Sequence, residues 1–152
     1  SAAGERLIDM SFESADLKGA DIPVDLVPSM IDEFPILAVL AAFATGTTVV
    51  KGAAELRVKE SDRIKAVVAM LRVNGVEVDE TEDGFIVQGC AGAVPGGGLV
   101  ETHHDHRIAM SALIMGTASQ KPVSIDDAAM IATSYPDFMQ HMKTLGADLR
   151  PE

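Results

Sequence analysis

From Val27 to Ala44 the chain is almost continuously apolar, through Ile36, Leu37, Val39, Leu40 and Phe43, and Gly46 ends the run. Its length and its many good helix formers predict a buried helix rather than a strand. Pro35 is tolerated only in a first turn, so the helix is expected to begin between Ile31 and Phe34, with Asp32 at its N-terminus. Thr47-Thr48-Val49-Val50 then reads as a short β-branched strand, followed by a charged connecting loop. Ser61 is placed to cap a second helix whose apolar positions Ile64, Val67, Val68 and Leu71 fall at helical spacing, and Asn74-Gly75 closes it. Val76–Asp79 and Phe85–Val87 read as two strands of a hairpin turning through Glu82-Asp83-Gly84. Pro95-Gly96-Gly97-Gly98 is a loop with no Lys-Ser/Thr after it, which argues against a nucleotide-phosphate loop. An apolar helix from Asp105 to Ala118, a strand at Val123–Ile125, a loop through Met130–Thr133 and a helix started by Ser134 complete the pattern. That last helix carries Phe138, Met142 and Leu145 and stops at Gly146. Near the beginning, Leu7, Ile8, Met10 and Phe12 suggest one further strand.

Two stretches share one plan. Asp32 and Asp105 each open an apolar helix; a strand, a loop and a Ser-started amphipathic helix follow, and Gly75 and Gly146 close the copies at nearly equal spacing. This is the pattern of an internal duplication, with approximate repeats 28–80 and 101–150. Repeated strand-helix units lay helices on sheets, so the expected class is α/β. In such a plan the helix starts near Asp32, Ser61, Asp105 and Ser134 share one side of the domain. Their unpaired N–H groups and partial positive charge would then favour a phosphate or carboxylate.

Composition narrows the picture. With 152 residues, 47% of them hydrophobic, the chain is expected to form one compact domain. A net charge of −11 argues against a general nucleic-acid or acidic-membrane surface, which needs a cationic field. An anionic ligand must therefore be held by a local exception, and Arg57–Lys65 and His103–Arg107 are the two cationic clusters that could build a positive pocket. No long uninterrupted apolar run or signal pattern is evident, which makes a soluble, cytoplasmic protein the expectation. Cys90, the single cysteine, has no partner for a disulfide or metal site and reads as a structural thiol.

The clusters carry the candidate chemistry. Arg63 offers a forked donor for a carboxylate or phosphate, Lys59 a mobile point charge and Glu60 a proton carrier. A solvated, charge-paired loop is the competing reading of the same residues. A carboxylate among cations stays ionised, so an acid role for Glu60 requires desolvation or a substrate charge to raise its pKa. Arg107 reads as an anion clamp and His106 as a neighbour that orients it or shuttles a proton. Consecutive His and Asp side chains rarely converge on one ion, so no metal is assigned. Asp32 and Glu33 are either helix-dipole charges or, for Asp32 at the lip of a buried helix, a base.

These residues also carry a resemblance. Met30-Ile31-Asp32-Glu33-Phe34-Pro35, Gly46-Thr47-Thr48-Val49, Arg57-Val58-Lys59-Glu60-Ser61-Asp62-Arg63, Asp105-His106-Arg107-Ile108-Ala109-Met110 and Ile131-Ala132-Thr133-Ser134-Tyr135-Pro136 resemble, in order, motifs of 5-enolpyruvylshikimate-3-phosphate synthases. The resemblance spans about Pro23 to Leu145. It implies a two-domain enolpyruvyl transferase fold of repeated βαβαββ units, of which this chain would be the carboxy-terminal part of one domain, lacking the amino-terminal domain. It further implies transfer of the enolpyruvyl group of phosphoenolpyruvate to the 5-hydroxyl of shikimate 3-phosphate, without metal or cofactor. Asp32 would be the base and contact the shikimate ring, and Glu60 the proton donor with Lys59 alongside. Arg63 and Arg107 would clamp phosphoenolpyruvate, with His106 in support, and would meet the inhibitor glyphosate. The last motif has Thr133 where one branch of the family has a lysine, which points to the other branch. A non-catalytic anion-binding domain and the related enolpyruvyl transferase acting on UDP-N-acetylglucosamine are the alternatives. Alone, the chain is expected to be inactive, since half the site is missing.

Overall fold

The computed structural model describes residues 8–150. The apolar run folds as a short helix α1 (Val27–Met30), a tight helical turn over Ile31–Glu33, and the core helix α2 (Phe34–Phe43), with Pro35 in its first turn. Pro35 has no amide hydrogen to leave unsatisfied there, and its ring is preset for helix. Val24–Phe43 is long and apolar enough, by length and composition, to cross a membrane, a property that the sequence reading did not credit. Its α2 part belongs to the core, where Phe34, Ala38 and Ala42 are fully buried and α2 packs on α3 (Arg63–Val73) and α4 (His106–Ala118), while Val24, Leu26 and Leu40 stay exposed.

Three antiparallel strands, β1 (Thr47–Val50), β2 (Glu77–Thr81) and β3 (Gly84–Gln88), form a sheet in the order β1-β3-β2. Thr47 sits opposite Gln88 and Val50 opposite Phe85, while Glu77 through Thr81 run against Gln88 through Gly84. This register turns Thr48, Val50, Val78, Phe85 and Val87 inward. Residues 17–22 run parallel to β1 through four backbone bonds, among them Gly19 N–H to Thr45 O and Ile22 N–H to Val49 O, both 2.9 Å. Gly19 is required in that approach, because a Cβ there would lie 2.2 Å from the Thr47 carbonyl oxygen. The first part of the chain is thus extended segment, helix, strand, helix, strand, strand. In the second part, β4 (Leu99–Val100) pairs in parallel with β5 (Ser124–Ile125) across α4. Two short helices follow, α5 (Ile131–Ser134) and α6 (Phe138–Thr144).

The main core joins Phe34, Leu56, Ile64, Val67, Leu71, Phe85, Ile108 and Met115, with Phe34 and Phe85 meeting edge to face at 6.4 Å. Each such side chain contributes about 1.5–3 kcal/mol through burial. A smaller cluster of Ala109, Ile131 and Phe138 lies on the other face of α4. That helix therefore carries apolar residues on two sides and ties the two parts together. Asn74 anchors the end of α3: its side chain donates to Met70 O and accepts from Gly98 N–H.

Four local expectations need correction. Leu7 lies outside the described residues, and Ile8, Met10 and Phe12 are exposed without strand pairing; an apolar run forms no strand where no neighbour offers a ladder. The cap of α3 is Asp62, whose carboxylate accepts the Lys65 amide at 3.1 Å, while Ser61 Oγ is turned to Asp105. Residues 131–134 are helical rather than a loop, and Ser134 ends that helix instead of starting the next. Pro136 disfavours helical backbone at Tyr135 (φ −141°, ψ 79°), so the helix restarts only at Phe138. Leu145, predicted on the apolar face of the last helix, is 80% exposed.

Candidate functional site

The starts of α2, α3 and α4 converge on one guanidinium. Arg63, the first residue of α3, is 1% exposed although it carries a full charge. Its Nε–H donates to Asp105 Oδ2 at 2.8 Å, Nη1 donates to Asp32 Oδ1 at 2.9 Å, and Nη2 donates to Glu60 Oε2 at 2.6 Å and Asp105 Oδ1 at 3.4 Å. A buried charge is tolerable only when paired and hydrogen-bonded in this way. Burial opposes the charged form of Arg63, but Asp105, Glu60 and Asp32 outweigh it and raise its pKa.

Asp105 is the inner partner. Its carboxylate, 0% exposed, accepts from Arg63, from Ser61 Oγ at 3.0 Å and from the Arg107 amide at 2.9 Å, the last being its N-cap bond to α4. Burial pushes its carboxyl up, yet the bonds and charge of Arg63, with Ser61 and the Arg107 amide, hold it below the usual carboxylate range. A tight turn delivers it: Asp105 N–H donates to Thr102 O at 2.9 Å, and the two central residues, His103 and His104, have φ of 52° and 57°. Two consecutive left-handed non-glycine residues are the geometry of a type I′ turn without its favoured glycine. Thr102 is in turn pinned by Asp126 Oδ1, which accepts both its amide and its hydroxyl.

The remaining residues form an outer layer. Asp32, 46% exposed, faces both Arg63 and the Lys59 ammonium, 3.6 Å away. Partial burial raises its pKa, but Lys59, Arg63 and Arg107 together bring it below the ordinary value. Lys59 also meets Glu55 at 2.8 Å; that bond chiefly raises its pKa, against burial, with Asp32 adding to the rise. Arg107 reaches from α4 to the turn before α2, its Nη1 donating to Asp32 O at 2.9 Å and to Glu33 Oε1 at 3.0 Å. His106 opens α4, partly buried, and its imidazole makes no hydrogen bond among the described residues.

All the predicted residues except His106 are therefore linked by direct bonds. The expected free positive pocket is not what they form: Lys59 is matched by Glu55, Arg63 by Glu60 and Arg107 by Glu33. Those three glutamates are 52–61% exposed, whereas Asp105 is sealed in. The Lys59–Glu55 and Arg107–Glu33 pairs, partly exposed on both sides, are of the kind that contributes about 0–1 kcal/mol, so an incoming anion can exchange for them at little cost, whereas Glu60 holds a buried guanidinium. Thr133 lies in α5, its hydroxyl donating to Met130 O within its own turn. The sequence reading missed Asp105 as the hub partner and Glu33 and Glu55 as counter-ions. An aspartate directly before a helix signals a cap; its second task depends on Arg63, which lies far from it along the chain.

The family profile of EPSP synthase (3-phosphoshikimate 1-carboxyvinyltransferase) matches residues 7–142. A 3-phosphoshikimate 1-carboxyvinyltransferase of Hyphomonas neptunium is 78% identical over 149 residues, covering 98% of this chain and 34% of that protein. One from a Bradyrhizobium species is 60% identical over 146 residues, covering 96% of this chain and 33% of its own length. The chain thus spans about a third of the curated relatives it matches. A solved EPSP synthase of Acinetobacter baumannii superposes with a TM-score of 0.83 at 45% identity, over 86% of this chain and 31% of that one. The three converging helix starts, the order of the motifs and these likenesses have one explanation: the chain belongs to the EPSP synthase (3-phosphoshikimate 1-carboxyvinyltransferase) family and is a fragment with an α/β, enolpyruvyl-transferase-type fold.

Proposed function

We propose that this chain supplies one half of a site that transfers the enolpyruvyl group of phosphoenolpyruvate to the 5-hydroxyl of shikimate 3-phosphate. The observation that carries this reading is the meeting of Asp32, Lys59, Glu60, Arg63 and Arg107 around one buried guanidinium, in a chain of this family. The other half belongs to the part of the protein for which the longer relatives have sequence and this chain has none. Alone, the chain binds anions without turnover.

Binding and chemistry are coupled in this scheme. The substrate's carboxylate and phosphate oxygens replace Glu60, Glu55 and Glu33 on Arg63, Lys59 and Arg107. Asp32, whose carboxyl is held low by the same cations, is a weak base while they face it. When they turn to the substrate, its proton affinity rises and it takes the hydroxyl proton as the oxygen attacks the enol carbon. Glu60, released from Arg63 and facing the substrate's negative charge, takes up a proton from water and delivers it to the methylene carbon. Loss of phosphate from the tetrahedral intermediate then restores the enol double bond as that carbon returns a proton to the Glu60 carboxylate. The cations stabilise charge on the departing phosphate, and His106 supports Arg107.

Titration of the chain with phosphoenolpyruvate, followed amide by amide in NMR, tests the reading. Shifts are expected to centre on Lys59–Arg63 and Asp105–Arg107, and Glu33→Gln is expected to bind up to about fivefold tighter, because an exposed competitor for Arg107 worth up to about 1 kcal/mol is removed. Absence of binding, or shifts confined elsewhere, would overturn it. Turnover is expected when the chain is mixed with the remainder of a relative, and Arg107→Ala there should raise the phosphoenolpyruvate requirement more than the shikimate 3-phosphate one. A properly folded mixture without turnover favours a binding-only role.

A further inference from the structure

Arg57 takes no part in the scheme above, yet its guanidinium is among the most fully bonded in the protein. Nε–H donates to Glu82 O at 2.8 Å, and Nη2 donates to Thr81 O at 2.6 Å and meets Glu80 Oε1 at 3.0 Å. Those three partners lie at the tip of the β2–β3 hairpin. Nη1 faces the other way and meets both oxygens of Asp62, at 3.0 and 3.3 Å. Asp62 is also the N-cap of α3.

Between Arg57 and Asp62 lie only Val58, Lys59, Glu60 and Ser61. The ion pair therefore closes the loop that carries two of the candidate catalytic and binding residues, and the hairpin carbonyls moor the closed loop to the sheet. Val58, 81% exposed, adds no apolar anchor within it. Beside the clasp, Ser61 Oγ bonds the buried Asp105 at 3.0 Å, while Lys59 and Glu60 face ionic partners that a substrate would displace.

We propose that Arg57 and Asp62 are positioning residues: a clasp that holds the Lys59–Ser61 loop in shape while its own side chains exchange protein carboxylates for substrate anions. This rests on the reading of the site given above. Without the clasp, anion binding would have to order the loop as well as desolvate it, and immobilising each rotamer-rich side chain opposes association. An arginine suits the task because its planar fork can serve the carbonyls and the carboxylate together, which a lysine cannot.

The test uses two variants that cut the clasp from opposite sides. Arg57→Gln removes the fork, and Asp62→Ser keeps an N-cap acceptor for the Lys65 amide while losing the ion pair. Backbone NMR order parameters of residues 58–61 are expected to fall in both, with the rest of the fold unchanged. Phosphoenolpyruvate binding is expected to weaken by about tenfold in each, and the double variant to be little worse than either single one, as coupled partners require. Arg57→Lys should not restore binding. Unchanged order parameters in both variants would overturn the clasp. So would a loosened loop with undiminished affinity, or additive losses in the double variant. If the unmodified chain binds no phosphoenolpyruvate, the proposed function fails, while the loop order parameters still decide for or against the clasp.

Discussion

Asp105→Ala is the substitution whose consequence follows most directly from the geometry. The side chain is fully buried and accepts from Arg63, Ser61 and the Arg107 amide. Removing it takes away the α4 N-cap, worth about 1 kcal/mol, and deprives a 1% exposed guanidinium of its innermost partner. Breaking a buried pair costs about 3–5 kcal/mol when the remaining charge is left unmatched. Here Asp32 and Glu60 still hold two corners of Arg63, so the lower end applies, and the total loss is about 4 kcal/mol. For a domain with the usual 5–15 kcal/mol of stability the protein stays folded but weakened. Urea unfolding followed by far-ultraviolet circular dichroism suits a chain with no Trp and one Tyr. With a slope of about 2 kcal/mol/M the midpoint should fall by about 2 M. Asp105→Asn retains an oxygen for the Arg107 amide and should lose less. Replacing the pair together, Arg63→Met with Asp105→Leu, should be milder than Asp105→Ala alone, because no buried charge is stranded. A loss below about 1 kcal/mol for Asp105→Ala, the range of a surface pair, would refute the hub.

Other outcomes follow from the same site. Both Asp105 and Asp32 have folded-state pKa values below the ordinary one, so their contribution is fully present above the unfolded carboxylate value near 4 and is lost as pH falls through the folded values. Urea midpoints should therefore drop on acidification below about pH 4, and the drop should be smaller in Asp105→Asn; a pH-independent midpoint across that range contradicts the pairing. His103→Gly relieves a left-handed backbone angle in the turn before α4 and should raise stability by about 1 kcal/mol; a lowered urea midpoint would mean that the imidazole makes a contact worth more than the strain.

Helices α2, α3 and α4 were readable from local pattern because their signals are local. Pro35 fixes a first turn, Ile64, Val67, Val68 and Leu71 recur at helical spacing and are buried, and Gly75 follows α3 with φ of 80°. The hairpin was equally visible in its alternation and its turn. The failures came where a neighbour decides the outcome. Ile8, Met10 and Phe12 have the composition of a strand and no ladder to join, while Leu99–Val100 form one only because Ser124–Ile125 lie beside them. At 130–138 the restriction that Pro136 places on Tyr135 splits what pattern alone joined to Ser134.

For the site, residue types and their place before helices offered Asp32, Lys59, Glu60, Arg63, His106 and Arg107 as candidates in a chain of net charge −11, but left solvated charge pairs and helix-dipole charges as competing readings, and it was the resemblance to family motifs that chose between them. Which charge is buried, and which pairs with which, was decided by the tertiary structure. Arg63 and Arg107 look equivalent along the chain, yet one is sealed against Asp105 and the other lies at the surface against Glu33. Helix starts can be recognised from nearest neighbours, because capping and periodicity act within a few residues. The electrostatic order around Arg63 joins positions 31 and 42 residues apart and exists only once the three helices have packed.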